Sequence, residues 1–377
     1  MRIGVVTFLA VLSLCAPASG YAEEDCAQAS TLVRNGSQLA DGSDVERKFY
    51  QDALQLCPRM AEAHYYLGVF HFRNSQLEDA EQSFLKAKEL RDDANVRVAL
   101  GSVALQRGEM AAAKSQYEDA LSKDPVNIRA LQGMGVILER EQKYSEAIDV
   151  LKRALAIDKN NADTFYNLGA VYERAGNAQE AVGAYERAVE INPKGFEALL
   201  YLGLAYRKMG RFEDAVRVLS QAARVSPDEA SVHQALGMVF EKLGDLDRAE
   251  TSFRKALALN SDDNTSRVNL GIVLIHKRQE GLAEDTLKEA VKSNPNNAQA
   301  LSALGWAQLQ LGKYKEAEVA LKRAIEVDAM NSFAHNNLGV LYQRLGRAEE
   351  AERSFRTAVR LNPSLDSAKK NLDQFAP

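Results

Sequence analysis

Small and apolar residues recur along this chain on a fixed ruler. Glycine stands at positions 68, 101, 135, 169, 203, 237, 271, 305 and 339, after a first step of 33 residues in steps of 34. The residue before each marker is apolar, from Leu67 and Leu100 through Met134 to Leu338. Alanine follows twelve residues after every marker (Ala80 to Ala351) and again nineteen after it (Ala87 to Ala358). Sixteen after it stands a bulky apolar residue: Phe84, Tyr117, Leu151, Tyr185, Leu219, Phe253, Leu287, Leu321 or Phe355. These spacings follow the helical period, so each unit is expected to hold two helices with the marks on their facing sides. Glycine and alanine let the pair approach closely, and the bulky residue fills the gap beside them. A second glycine comes seven after the first in six units (Gly108, Gly176, Gly210, Gly244, Gly312, Gly346). There it suits the left-handed residue that closes a helix. Pro125, Pro193, Pro227, Pro295 and Pro363 end the second helix in five units, and Asp92, Lys159, Ser261 and Ala329 fill that slot in the others.

A period of this length with these marks resembles the tetratricopeptide-repeat family. The resemblance covers residues 61–365 and implies an all-α fold, a right-handed superhelical solenoid of stacked two-helix hairpins. It implies nine units, at 61–93, 94–127, 128–161, 162–195, 196–229, 230–263, 264–297, 298–331 and 332–365. Residues 26–60 read as a degenerate first hairpin, in which Tyr50, Ala53 and Pro58 keep the second-helix marks. Val33 and Arg34 occupy the Leu-Gly places there. Residues 366–377 read as a capping helix, made polar by Lys369, Lys370, Asp373 and Gln374. Departures from the pattern are expected at the ends, where one face has no neighbour. Members of the family bind partner segments in a concave groove and do not themselves catalyse.

Length alone would suggest two or three globular domains for 377 residues, but the repeat overrides that prior. A net charge of −5 disfavours nonspecific nucleic-acid binding, which needs a basic footprint. Residues 1–22 read as a secretory signal: a basic start at Arg2, an apolar run from Ile3 to Ala16, then Ala18, Gly20 and Ala22 before an acidic stretch. Cleavage after Ala22 is the first choice, and an uncleaved membrane anchor the alternative. Leu14 before Cys15 argues against a lipoprotein site. The expected location is the periplasm or the outside of the cell, with no integral membrane span in the mature chain. The mature chain keeps Cys26 and Cys57, and an even pair in an exported chain suggests a disulfide. They start and end the two antiparallel helices of the first hairpin, so the ends lie side by side.

Catalytic chemistry finds little support in the sequence. No His, Cys, Asp and Glu set has metal-ligand spacing, and every marker glycine belongs to the repeat rather than to a phosphate loop. No cofactor, catalytic residue or metal is expected. Three of the five histidines, His64, His233 and His335, hold one equivalent place in separate repeats.

The resemblance places the groove on the first helices, at about three before, two before, one after and four after each marker glycine. That reading selects Tyr65, Tyr66, Tyr166, Asn167, Leu200, Tyr201, Leu204, Met238, Asn269, Trp306, Asn336 and Asn337 as partner contacts. Gln234, Ile272, Ser302 and Val340 complete the lines, and Phe72, Arg140, Arg174, Arg207, Lys208 and Lys242 stand near the rim. Aromatic rings give large contact area at low entropy cost, and Asn can bond a peptide backbone as donor and acceptor. Trp306, the only tryptophan, is either an anchor or a packing residue. The Lys and Asn set with which some members grip a C-terminal carboxylate is absent. Asn167, Asn269, Asn337 and Asn371 match the asparagine line of the O-linked N-acetylglucosamine transferase repeats. Tyr66, Ala99, Gly133, Tyr201, Ala235 and Ala303 interrupt it. The reading is a non-enzymatic scaffold or adaptor for protein or peptide partners, in envelope assembly, secretion or polysaccharide export. A recognition subunit of a separate glycosyltransferase or protease, and a self-assembling scaffold, are the alternatives. Asn35-Gly36-Ser37 and Asn264-Thr265-Ser266 fit a glycosylation acceptor pattern.

Overall fold

Each stretch between two turn signals is long enough for about three to four helical turns, and each becomes one helix. The chain forms two units, residues 1–193 and 194–377. A computed structural model describes residues 23–375 of it. The signal-like segment, with Cys15 and the cleavage site, lies outside the described residues.

The first unit holds α1 (Glu23–Leu39), α2 (Asp44–Leu56), α3 (Ala61–Arg73), α4 (Leu77–Leu90), α5 (Ala94–Arg107), α6 (Met110–Lys123), α7 (Ile128–Arg140), α8 (Tyr144–Ile157), α9 (Ala162–Arg174) and α10 (Ala178–Ile191). The second holds α11 (Phe196–Lys208), α12 (Phe212–Val225), α13 (Ala230–Lys242), α14 (Leu246–Leu259), α15 (Asn264–His276), α16 (Glu280–Ser293), α17 (Ala298–Gln310), α18 (Tyr314–Val327), α19 (Ser332–Arg344), α20 (Ala348–Leu361) and α21 (Asp366–Asp373). Among the described residues there is no strand. Within each unit consecutive helices pair into hairpins, and each hairpin packs on the next.

The small-against-large contact runs through both units. A Cβ added to Gly101 would stand 2.8 Å from the Tyr117 ring, and one added to Gly203 would stand 2.4 Å from Leu219 Cγ. Ordinary carbon contacts lie at about 3.5–4.0 Å, so only hydrogen fits at these positions. The alanines twelve and nineteen after each marker are buried, from Ala80 and Ala87 to Ala351 and Ala358. First helices end where the +7 glycines take φ values from +73° to +84°. Ser75, Gln142 and Arg278 hold the same slot in the three remaining hairpins, with φ near +60°. Helix starts are capped by side chains: Asp93, Asn127 and Asn161 in the first unit, and Asp263, Asn297 and Asn331 in the second, each accept a backbone N–H three residues on.

The end hairpin corrects one expectation. Its glycine mark is kept, but at Gly36 rather than at position 34. A Cβ there would stand 2.7 Å from the Tyr50 ring. The loop to α2 is two residues shorter than the ruler requires, which hid the match. It turns through Ala40 and Gly42, both at positive φ. Buried Glu46 ties this loop down. Its carboxylate accepts from the Gly42 N–H at 2.8 Å and the Tyr50 hydroxyl at 3.1 Å, and pairs with Arg73, whose Nη1 also donates to the Ala40 carbonyl. At the other end α21 buries Ala368, and Leu372 and Phe375 pack on the last hairpin's core, with the Phe375 ring 5.9 Å from that of Phe355.

Candidate binding groove

Successive first helices touch one another. In the first unit α1, α3, α5, α7 and α9 form such a row, and in the second α11, α13, α15, α17, α19 and α21 form another. Successive second helices make no comparable contact within either unit. A stack drawn together on one side and spread on the other is concave on the side drawn together. The first helices therefore form the inner face of each unit.

The two lines flanking this inner face most directly are two before and one after the marker glycine. Tyr66 and Asn167 in the first unit, and Leu204, Met238, Asn269, Trp306 and Asn337 in the second, are all half-buried. Tyr201 is 38% exposed, the most open aromatic of the predicted set. Trp306 and Val340 pack with their lower faces on the core of the last hairpin, so Trp306 takes part in packing while keeping some exposure. Tyr66 stacks against Tyr50 with ring centroids 6.0 Å apart. Burial pushes the phenols of Tyr65 and Tyr66 above the ordinary tyrosine value, so both stay neutral.

The line three before the glycine is more varied, and the reading of Asn336 and Ser302 as open groove is corrected. Asn336 and Ser302 are buried, with 6% and 4% exposure. Tyr65 and Tyr166 turn toward the second helices, their rings 5.7 Å from Phe84 and 6.0 Å from Tyr185. Gln132 donates to Asn161 Oδ1 and Thr164 Oγ1, and Gln234 to both Asp263 carboxylate oxygens at 2.8–2.9 Å. Asn336 accepts from Asn371 at 3.0 Å. Gln132 and Gln234 thus reach the start of the next hairpin's first helix, and Asn336 reaches α21, so these side chains lock neighbouring elements together. Leu200 on the same line is half-buried. Gly133, one of the gaps in the asparagine line, has its own reason: a Cβ there would stand 2.4 Å from the Tyr117 ring of the preceding hairpin.

Several other candidates also find structural employment. The ring Nε2 atoms of His64, His233 and His335 lie 3.0, 2.9 and 3.2 Å from the carbonyl oxygen six residues earlier, at Pro58, Pro227 and Ala329. Each histidine latches the loop before its own helix, and burial lowers the pKa of His64. The rim cations Arg140, Arg174, Lys208 and Lys242 are exposed, while Phe72 and Arg207 are half-buried. Arg174 pairs with Glu139 at 3.4 Å. Both polar side-chain atoms of Asn264 are shielded without a hydrogen-bond partner among the described residues, so its amide is closed to glycosylation in the folded chain. Asn35 is exposed on α1. Cys26 and Cys57 lie together, with Cα atoms 5.1 Å apart, a separation that a disulfide spans. Among the described residues no His, Cys, Asp and Glu group could hold a metal ion, and no helix is long and apolar enough to cross a membrane.

A family model described as the C-terminal domain of cilia and flagella-associated protein 70 matches residues 88–304. A tetratricopeptide-repeat model matches residues 46–95 and 302–366. No curated protein matches the chain. Among solved structures the chain is similar to one from the APC/C hetero-tetramer Cut9-Hcn1, at 15% identity over 94% of this chain and 87% of that one, with a TM-score of 0.54. It is also similar to a tetratricopeptide repeat protein from Parabacteroides merdae ATCC 43184, at 18% identity over 66% of this chain and 98% of that one, with a TM-score of 0.49. A third is YrrB, described as a TPR protein with an unusual peptide-binding site, at 23% identity over 50% of this chain and 97% of that one, with a TM-score of 0.41. The first likeness shares the hairpin architecture and speaks to fold alone. The repeated small-against-large contact, the paired helices and the matching models lead to one assignment: the chain belongs to the tetratricopeptide-repeat family.

Proposed function

We propose that this chain is a non-enzymatic interaction scaffold that holds segments of partner proteins against the inner faces of its hairpin stacks. The observation that carries this reading is the inner face itself. Successive first helices line it with half-buried aromatic, amide and aliphatic side chains, while Gln132, Gln234 and Asn336 on the line three before the glycine join hairpins. A surface with such apolar anchors and backbone-bonding groups side by side suits a peptide or a helix. The test is affinity capture with the full chain and with Tyr66→Ala, Tyr201→Ala and Met238→Ala variants. Loss of the same captured protein in the variants, with unchanged melting temperature, supports the reading. Capture indifferent to all three refutes it.

Export is the second part of the proposal. Its support is the signal-like start and the closeness of Cys26 to Cys57, the pairing expected where disulfides persist. The scaffold would then work in the periplasm or outside the cell. The mass of the chain's N-terminal peptide from the producing cell tests it: a start at Glu23 supports export, and a retained Met1 with both thiols free argues against it.

A further inference from the structure

The inner face of the second unit carries a feature that the first lacks. One residue after each marker glycine stand Leu204, Met238, Ile272, Trp306 and Val340, all half-buried. The same place in the first unit holds Val69, Ser102, Val136 and Ala170, where a polar serine and a small alanine interrupt the line. The second unit thus has an unbroken stripe of apolar side chains, most of them large, along touching helices.

The two flanks of this stripe differ in charge. One helical turn further along each helix stand Lys208, Lys242, His276, Gln310 and Arg344. Lys208 has no acidic partner among the described residues, and Lys242 reaches only Glu241, at 3.8 Å. Arg344 bonds a neutral amide and a carbonyl, at Gln310 and Leu309. Cations in a last helical turn also suit the helix dipole. The dipole alone does not explain why they lie beside an apolar stripe with Glu241 as the one carboxylate paired with them among the described residues. On the opposite flank stand Glu197, Ser231, Thr265, Gln299 and Phe333, four of the five uncharged. The stripe therefore has one basic edge and one nearly neutral edge, on a chain whose net charge is −5.

Spacing selects the form of the occupant. Packed helices lie about 8–10 Å apart, which sets the interval between apolar positions on this face. A helix returns to one side after seven residues, about 10.5 Å along its axis. A strand returns to one side at about 6.7 or 13 Å and fits the interval poorly. We propose that the inner face of the second unit seats an amphipathic α-helix of a partner protein, with heptad-spaced apolar residues on the stripe and an acidic flank along Lys208, Lys242 and Arg344. The proposal rests on the scaffold reading and names the chemistry of the partner.

Trp306 is the only tryptophan and lies in the stripe, so its emission reports occupancy directly. The probes are two tryptophan-free synthetic peptides about four heptads long, with leucines on one face and either glutamates or lysines along one flank. The full chain should bind the glutamate peptide at least about tenfold more tightly at low salt, with a blue shift of Trp306 emission and induced helical circular dichroism in the peptide. Added salt should shrink that preference, since it screens exposed charges. The Lys208→Glu, Lys242→Glu double variant should prefer the lysine peptide. Equal affinity for the two peptides, binding of neither, or a preference unchanged in the double variant overturns the proposal. The broader reading fails separately, when capture of the native partner is indifferent to Tyr66→Ala, Tyr201→Ala and Met238→Ala alike.

Discussion

The closest approach in each hairpin makes the sharpest test of the fold, because one substitution should have opposite signs at two glycines. Gly203 sits in α11 with Leu219 Cγ and Cδ2 at 2.4 and 2.6 Å from where a Cβ would stand. Leu219 is fully buried, so its branch carbon cannot withdraw without moving its neighbours. Overpacking of this kind costs about 1–3 kcal/mol. Alanine returns about 1 kcal/mol of helix propensity relative to glycine. With the contact falling on the branch carbon rather than on a side-chain tip, Gly203→Ala should destabilise by about 1–2 kcal/mol. Gly183 lies inside α10, and nothing stands within 4 Å of its added Cβ. Gly183→Ala should therefore keep the propensity gain and stabilise by about 1 kcal/mol.

The pair is measured by urea unfolding followed by circular dichroism, together with hydrogen exchange resolved to α10 and to α11–α12. The local readout matters because a repeat array need not unfold as one two-state unit. A cycle with Leu219→Ala isolates the contact. That substitution alone should cost about 2–5 kcal/mol. In its background Gly203→Ala should stabilise by about 1 kcal/mol, since the obstructing branch is gone and the propensity gain remains, and the coupling should be about 2–3 kcal/mol. If Gly203→Ala stabilises as much as Gly183→Ala, or if the two changes add without coupling, the small-against-large contact is not what sets hairpin packing.

Gln142→Gly and Arg278→Gly should each raise the melting temperature slightly. Both residues hold the left-handed slot at φ +60° and +57°. Relief of about 1–2 kcal/mol of backbone strain outweighs the 0.5–1 kcal/mol or so of entropy that glycine loses. Cys26 and Cys57 should be found joined by mass spectrometry of unreduced, thiol-blocked protein. At a sequence separation of 31, the bridge is worth up to about 4 kcal/mol to the end hairpin, and reduction should speed hydrogen exchange before residue 60 and spare the rest. Hydrogen bonds from Arg97 above all, then from Lys123, hold the Asp92 carboxyl at about 2, below its ordinary 3.8. A depressed carboxylate stabilises above its unfolded pKa, so this contribution should be whole at neutral pH and vanish as pH falls from about 4 to 2. Hydrogen exchange at the start of α5 should show that loss, and Asp92→Asn should flatten it.

The fold was legible because each packing mark is repeated within one chain. A buried position such as Ala80 recurs as Ala113, Ala147 and on to Ala351, and the recurrence separates a packing demand from chance. Marks that depend on loop length are less legible. Gly36 faces Tyr50 as its equivalents face their partners, yet a loop two residues shorter moved it off the ruler. Ser75, Gln142 and Arg278 adopt a glycine conformation, which composition cannot announce. The candidate groove divides along the same line of reasoning. Inward-facing and inter-hairpin roles look alike from a single helix. Gln234 and Asn336 are spent on partners 29 and 35 residues away, a distance at which helical periodicity carries no signal. What periodicity does expose is the contrast between constant and varied lines. The line two after the marker, from Phe70 through Val103, Ile137 and Val273 to Leu341, is apolar and buried in all nine regular hairpins. The neighbouring line one after it runs from Ser102 and Ala170 to Met238 and Trp306 on the same helices. Packing tolerates that variation only where it is not the sole constraint. The varied line is thus the place where a common fold can be given different binding surfaces, and the larger apolar residues of the second unit are concentrated there.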